Sequence, residues 1–144
     1  MDRRMSLWLA RLVVGTVFFL NVTCALAFIA RPERYTPGFE VGGTPGRTLV
    51  RGIGFLFLMW NATYPPVLAR PDRHRTLFMV ILIQQAIGLG GETWMWATLP
   101  AGHAALQATG LRFIAFDGAG LVAMGLVFWC LKTPAWPGRP PALR

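Results

Sequence analysis

At 144 residues, 54% of them hydrophobic and only 14% charged, the chain has a mean hydropathy of +0.47, whereas a soluble domain is about 25% charged. That balance excludes an ordinary soluble domain and indicates an integral membrane protein. The formal charge of +8 would suggest nucleic acid in a soluble chain; in a membrane chain topology accounts for it, so the lipid bilayer is the expected partner and nucleic acid is not.

The first apolar run, residues 7–29, follows the basic start "MDRRMSLWLARL". It is longer than the roughly 7 to 15 residues of a signal-peptide core, and "CALAFIARPE" is a poor cleavage site, so it reads as a retained helix. The connection 30–48 contains "RPERYTPGFEVGGTPGR", rich in Pro and Gly. It reads as an irregular cap over the outer mouth, with room for a short hairpin. A second run, 49–68, carries Pro65 and Pro66 near its cytoplasmic end, where a kink or early stop is expected. "ARPDRHR" is then a tight basic turn, with Pro71 blocking helix continuation, which makes the second and third helices antiparallel neighbours. The third run is 77–96. After it, "TLPAGHAALQATG" suggests a short interfacial helix over 102–109, followed by a fourth run at 111–131. The tail 132–144, "KTPAWPGRPPALR", is expected to be extended, cytoplasmic and near anionic headgroups.

Each run approaches the roughly 20 residues a helix needs to cross about 30 Å of hydrocarbon. The expected fold is therefore all-α integral membrane: one domain over 1–144, an antiparallel bundle of four transmembrane helices. Nine of the 14 basic residues, Arg3, Arg4, Arg11, Arg70, Arg73, Arg75, Lys132, Arg139 and Arg144, would share one side. Arg31, Arg34, Arg47, Arg51 and Arg112 would be on the other, together with Glu33, Glu40, Glu92 and Asp117. The positive-inside rule then puts both termini in the cytoplasm, in a multi-pass membrane protein. Most of the six Trp sit near helix ends, as an aromatic belt requires; Trp60 lies deeper, facing either a pocket or lipid.

Polar groups within hydrocarbon need partners, because a charge at mid-depth costs roughly 2.5 to 3.5 kcal/mol even on a lenient scale. On the second helix Arg51, Gly54, Leu58 and Asn61 share a face by their three-four-three spacing, with the asparagine about 15 Å below the arginine. Ile81, Gln85, Gly88 and Glu92 repeat this on the third helix with the chain reversed. Opposed, the faces match Arg51 to Glu92 and Asn61 to Gln85 in depth, and Gly54 and Gly88 would allow close backbone approach. Asp117 is roughly 9 Å deep. Arg112, five residues away on the same helix, is turned from its face, so Arg51 is its expected partner. The expected constellation is Arg51, Asn61, Gln85, Glu92, Arg112 and Asp117, centred on an outer-half trio of Arg51, Glu92 and Asp117, with Asn21 at a depth from which it can join.

Two accounts stay open for these groups. They are structural ion pairs and interhelical hydrogen bonds, or they line an outward pocket for a quinone ring or lipid headgroup; a proton or ion path is a third. Other signals carry less. "NVT" at Asn21 and "NAT" at Asn61 lie within the bilayer, and the glycines of "GLGG" and "DGAG" follow no strand. His74 and His103 belong to opposite sides, which excludes a bis-histidine haem within the chain. Cys24 and Cys130 lie at different depths, too far apart for a disulfide, and read as small core residues. No metal-ligand spacing appears, and no nucleophile stands beside a base, so neither a metal site nor a catalytic residue is assigned.

"RPERYTPGF" after the first helix, "LVRGIGFLFL" opening the second, "LARPDRHR" before the third and "RFIAFDGAGL" opening the fourth together resemble the DoxX-like group of small four-helix bacterial membrane proteins, over most of the chain. The resemblance implies likeness to the small subunits of thiosulfate:quinone oxidoreductase and to membrane partners of redox-defence complexes. Of the family's recurring polar positions it carries over only Arg51, Arg112 and Asp117, without a catalytic role. The expected function is a small accessory or binding protein within a larger assembly of membrane subunits, non-catalytic, with an outer-half polar pocket for a lipid or quinone head and no other cofactor. The alternative is a membrane subunit of a quinone-linked oxidoreductase that uses Glu92 and Asp117 for proton transfer. A small transporter ranks third, since no internal repeat or broken helix pair shows.

Overall fold

The computed structural model describes residues 3–131, so the tail expected at 132–144 lies outside the described residues. Five α-helices run in order: α1 (Arg3–Ala30), α2 (Gly43–Asn61), α3 (Tyr64–Ala69), α4 (Arg75–Ala97) and α5 (Ala104–Cys130). No strand occurs among the described residues. Three stretches, Arg4–Ala30, Arg75–Ala97 and Ala104–Cys130, are long and apolar enough to cross a membrane. The surface agrees with a membrane protein: Leu12, Phe19, Phe55, Met59, Ile87, Trp94, Leu126 and Trp129 are exposed, the last by 88%. A water-soluble monomer rarely shows a continuous apolar exterior of that kind.

The helix boundaries have local causes. α1 stops at Ala30 because Pro32 biases Arg31 out of helical geometry, to φ −137° and ψ 56°. The connection to α2 is two 3-10 turns, Pro32–Arg34 and Thr36–Phe39, rather than a hairpin. α2 begins at Gly43, before the expected 49, with Pro45 in its first turn, where the missing N–H costs no helical bond. It ends at Asn61. Pro65 and Pro66 occupy the first turn of the separate short helix α3, so the expected interruption is a true break at Ala62 and Thr63.

α5 is continuous over Ala104–Cys130, which corrects the expected interfacial helix at 102–109. Gly110 follows the expected end of that short helix. In the fold a Cβ there would lie 3.3 Å from Cδ1 of Trp96, so its smallness seats the indole on the helix. The start of α5 is fixed from far away in the chain. Glu40, in the left-handed region at φ 52°, accepts hydrogen bonds from the backbone N–H of Ala105 (3.0 Å) and Leu106 (3.2 Å) and pairs with His103. Thr109 Oγ1 donates to Gly38 O at 2.8 Å.

α1 packs antiparallel to both α2 and α5, and α4 antiparallel to α5, while α3 bridges α1 and α4 at one end of the molecule. Close approach of α1 and α2 depends on Gly54, where a Cβ would lie 2.7 Å from the Ala25 carbonyl oxygen and 2.8 Å from Cγ1 of Ile29. Gly54 therefore serves α1 and not α4. α2 and α4 are not closely packed partners, which corrects the expected face-to-face match of the second and third helices. The buried core sits at the α3 end: Ala10, Val14, Val17, Tyr64, Val67, Phe78, Ile81, Met124, Val127 and Leu131. At the opposite end, under the 3-10 turns, Phe28 is the hub of an aromatic cluster with Tyr35, Phe39, Phe57 and Phe113, at centroid separations of 4.7 to 6.4 Å.

Three arginines close helix ends on neighbouring elements. Arg11 Nη2 donates to Ala69 O (2.9 Å), Arg51 Nε to Ile29 O (3.1 Å) and Arg75 Nη1 to Leu131 O (2.6 Å). The last carbonyls of a helix have no partner within it, and a cation there also meets the negative end of the dipole.

Candidate functional site

Between the core at the α3 end and the aromatic cluster at the loop end, α1, α2, α4 and α5 turn polar side chains inward. Gln85 is at the centre and 4% exposed. Its Nε2 donates to Asp117 Oδ1 at 2.9 Å and, more weakly, to Asp117 O at 3.4 Å, joining α4 to α5. Its Oε1 accepts from Tyr64 Oη at 3.4 Å, and Tyr64 in turn interacts with Asn21 of α1. Beyond Asp117 lies Glu92, close enough for the two carboxyl groups to interact directly. Asn61, also 4% exposed, uses Nδ2 on the Phe57 carbonyl of its own helix at 2.8 Å. Small residues make the room. A Cβ at Gly120 would lie 3.3 Å from Gln85 Nε2; one at Gly88 would lie 3.4 Å from Asp117 Oδ2 and 3.1 Å from Cη2 of Trp60. Gly88 thus accommodates a ring and a carboxylate rather than a second backbone, and Trp60 faces a pocket.

The site is three adjoining cavities. A small one of about 30 Å³ is lined by Asn21, Trp60, Asn61, Tyr64, Gln85 and Asp117, with Phe57 and Glu92 completing its wall. A second, about 240 Å³, runs between α1 and α5 past Cys24, Arg112, Phe113, Asp117 and Glu92. The third, about 380 Å³, is almost wholly apolar and lies where α2 and α4 part: Ile53 and Phe57 on one side, Met95, Trp96 and Leu99 on the other, Phe113 behind. Glu92 and Phe57 belong to all three walls. Glu92 therefore joins a greasy cleft between helices to a hydrogen-bonded interior.

Five of the six expected residues, Asn61, Gln85, Glu92, Arg112 and Asp117, gather here. Arg51 does not. It is exposed on the face of α2 toward α1, closing that helix's end, so the expected trio of Arg51, Glu92 and Asp117 does not form. The cation beside the acids is Arg112, whose long side chain reaches the cavity wall although its backbone position on α5 is rotated away from Asp117. Cys130 is exposed rather than in the core. Tyr64 and Trp60 went unassigned to the site in sequence. A tyrosine ahead of two prolines, at a helix break in an apolar chain, is the signal that could have found the first of them.

Two polar atoms in the site are buried without a hydrogen-bond partner, Asn61 Oδ1 and Glu92 Oε2. An unmet buried acceptor costs about 1–3 kcal/mol, which marks where a ligand or water belongs. Among the described residues no group of three His, Cys, Asp or Glu is placed to hold a metal ion. No protein-family model, curated protein or solved structure matches the chain.

Proposed function

We propose that the chain is a small membrane-embedded binding protein that holds a lipid-soluble molecule by its polar head, a quinone ring or lipid headgroup, as an accessory component of a larger membrane assembly. α2 and α3 together form a fourth, broken crossing, both chain ends face the cytoplasm, and the membrane is the bacterial inner one. Six arginines toward the α3 end, Arg3, Arg4, Arg11, Arg70, Arg73 and Arg75, against five toward the loop end, Arg31, Arg34, Arg47, Arg51 and Arg112, support this orientation. The observation that carries the binding reading is the position of Glu92, a carboxylate at the meeting of a lateral apolar cleft of about 380 Å³ with a polar interior. Pockets for amphiphiles have this composition, mostly apolar with few convergent polar groups.

Native mass spectrometry of the gently solubilised protein tests it. A bound apolar small molecule, alone or with further subunits, is expected on the wild type and lost from Leu99→Trp, which fills the cleft from the lipid side. A wild-type chain that carries no ligand mass, under conditions where a control membrane protein keeps its lipid, overturns the reading.

A second reading, a subunit of a quinone-linked oxidoreductase of DoxX-like type, is favoured by one feature. Asp117 and Glu92 are in direct contact at the cleft, a carboxyl pair that can exchange a proton with a bound head, while Gln85, itself bonded to Tyr64, holds Asp117 in place. Here Asp117→Asn would keep the ligand but stop turnover of the assembly. Unchanged turnover removes that reading.

A further inference from the structure

The hydrogen bonds of the site are lopsided, and this identifies the head it takes. Around the 30 Å³ cavity three donors are engaged: Tyr64 Oη on Gln85, Gln85 Nε2 on Asp117, Asn61 Nδ2 on Phe57 O. The unpaired groups are both acceptors, Asn61 Oδ1 and Glu92 Oε2, and Asn61 is 96% enclosed by its 4% exposure. Resting on the reading that the lateral cleft admits an amphiphile, we infer that the preferred ligand carries a neutral hydroxyl head on an apolar body. Its O–H is donated to one of the two unpaired acceptors, Glu92 Oε2 first, with Asn61 Oδ1 on the same small cavity.

Two further observations select this chemistry. The cleft that leads to Glu92 is walled by Ile53, Phe57, Met95, Leu99 and Phe113, so a charged head would have to leave water for an apolar passage. An ammonium, the other strong donor, would have to shed its water along the same apolar passage. The space behind Glu92, about 30 Å³, holds a group the size of one water. A hydroxyl fits there and a phosphate or trimethylammonium does not. A ketone or methyl ether offers only acceptors and leaves Asn61 Oδ1 and Glu92 Oε2 unmatched. Phenolic and aliphatic alcohols share the required chemistry.

Purified protein in phosphatidylcholine nanodiscs, with binding read by titration calorimetry against empty nanodiscs, tests this with matched pairs: 4-heptylphenol against its methyl ether, and 1-decanol against methyl nonyl ether. The alcohols of either or both pairs are expected to bind at least about tenfold more tightly than their ethers, as meeting a buried acceptor that otherwise goes unmatched implies. Glu92→Leu should collapse that ratio to near one while ether binding stays. Equal affinities within both pairs, or a preference that survives Glu92→Leu, overturn the inference and leave the cleft as an apolar site only. If neither member of any pair binds the wild type, it is the binding reading itself that has failed. Should Glu92→Leu not fold, Asn61→Leu offers the same comparison from the second acceptor.

Discussion

The two ends of this molecule are built from the same helices and packed in opposite ways. At the α3 end Tyr64, Phe78, Ile81 and Met124 are sealed to 0–1% exposure and Arg75 closes the terminus of α5. Toward the loop end α2 and α4 part, cavities replace side chains, and the unpaired acceptors Asn61 Oδ1 and Glu92 Oε2 remain. Lipid tails offer helices no hydrophobic reason to associate, so close packing and interhelical hydrogen bonds must hold them. With the buried core concentrated at the α3 end, and the loop end tied by Arg51, Glu40 and Thr109, the space where α2 and α4 part is left for something besides protein. The short helix α3 produces the asymmetry, because it inserts between α1 and α4 only at its own end.

The contrast is broken most severely at the sealed end. Phe78→Ala removes a fully buried ring and should cost about 3–5 kcal/mol, whereas Met95→Ala on the wall of the open cleft should cost under about 1 kcal/mol. Reversible unfolding in mixed micelles compares the two directly, and similar losses would mean that the ends are packed alike. Gly54→Val comes next. Its side chain would press on the Ala25 carbonyl and Ile29, with an expected loss of about 1–3 kcal/mol. Gly90 has nothing within 4 Å of a would-be Cβ, so Gly90→Ala should be neutral or slightly stabilising. Smaller than the Gly54→Val loss is that of Arg75→Gln, which removes the cation from the Leu131 carbonyl and from the Phe128 ring 4.4 Å away. About 1–2 kcal/mol is expected, and an unchanged midpoint would show that this helix end is not held by its arginine.

Much of this was legible in the sequence, and what was not has a common cause. Apolar runs of spanning length locate α1, α4 and α5 because the rule involves only distance along one helix. The same rule ranks depth correctly, so that Asn61, Gln85 and Asp117 do converge. Rotation and choice of neighbour depend on other helices. Arg51 and Gly54 share the spacing that places Asn61 on one face of α2, yet Gly54 packs on α1 and Arg51 caps it. The positive bias was read as topology alone, while Arg11, Arg51 and Arg75 also complete helix ends. The early start of α5 depends on Glu40, 65 residues before Ala105, whose backbone N–H it accepts. No local pattern records such a cap.

That cap gives the mildest test, and it concerns the loop end alone. The hydrogen bond from His103 chiefly holds the Glu40 carboxyl below its ordinary value of 4.5, helped by the backbone N–H groups of Leu106 and Ala105. A group with a depressed value in the folded state contributes stability that is fully present above the unfolded value and is lost as pH falls through the folded one. Hydrogen exchange at the Ala105 and Leu106 amides should therefore be slow and constant above about pH 5, apart from the intrinsic rate. Protection should fall as the pH drops below about 4.5, while amides around Phe78 at the sealed end stay protected. Glu40→Gln should abolish the pH step without unfolding α5, since the amide oxygen still accepts from one N–H. A step of the same size at both ends would show that acid loosens the whole molecule, and the independence of the loop end from the α3 end would be lost with it.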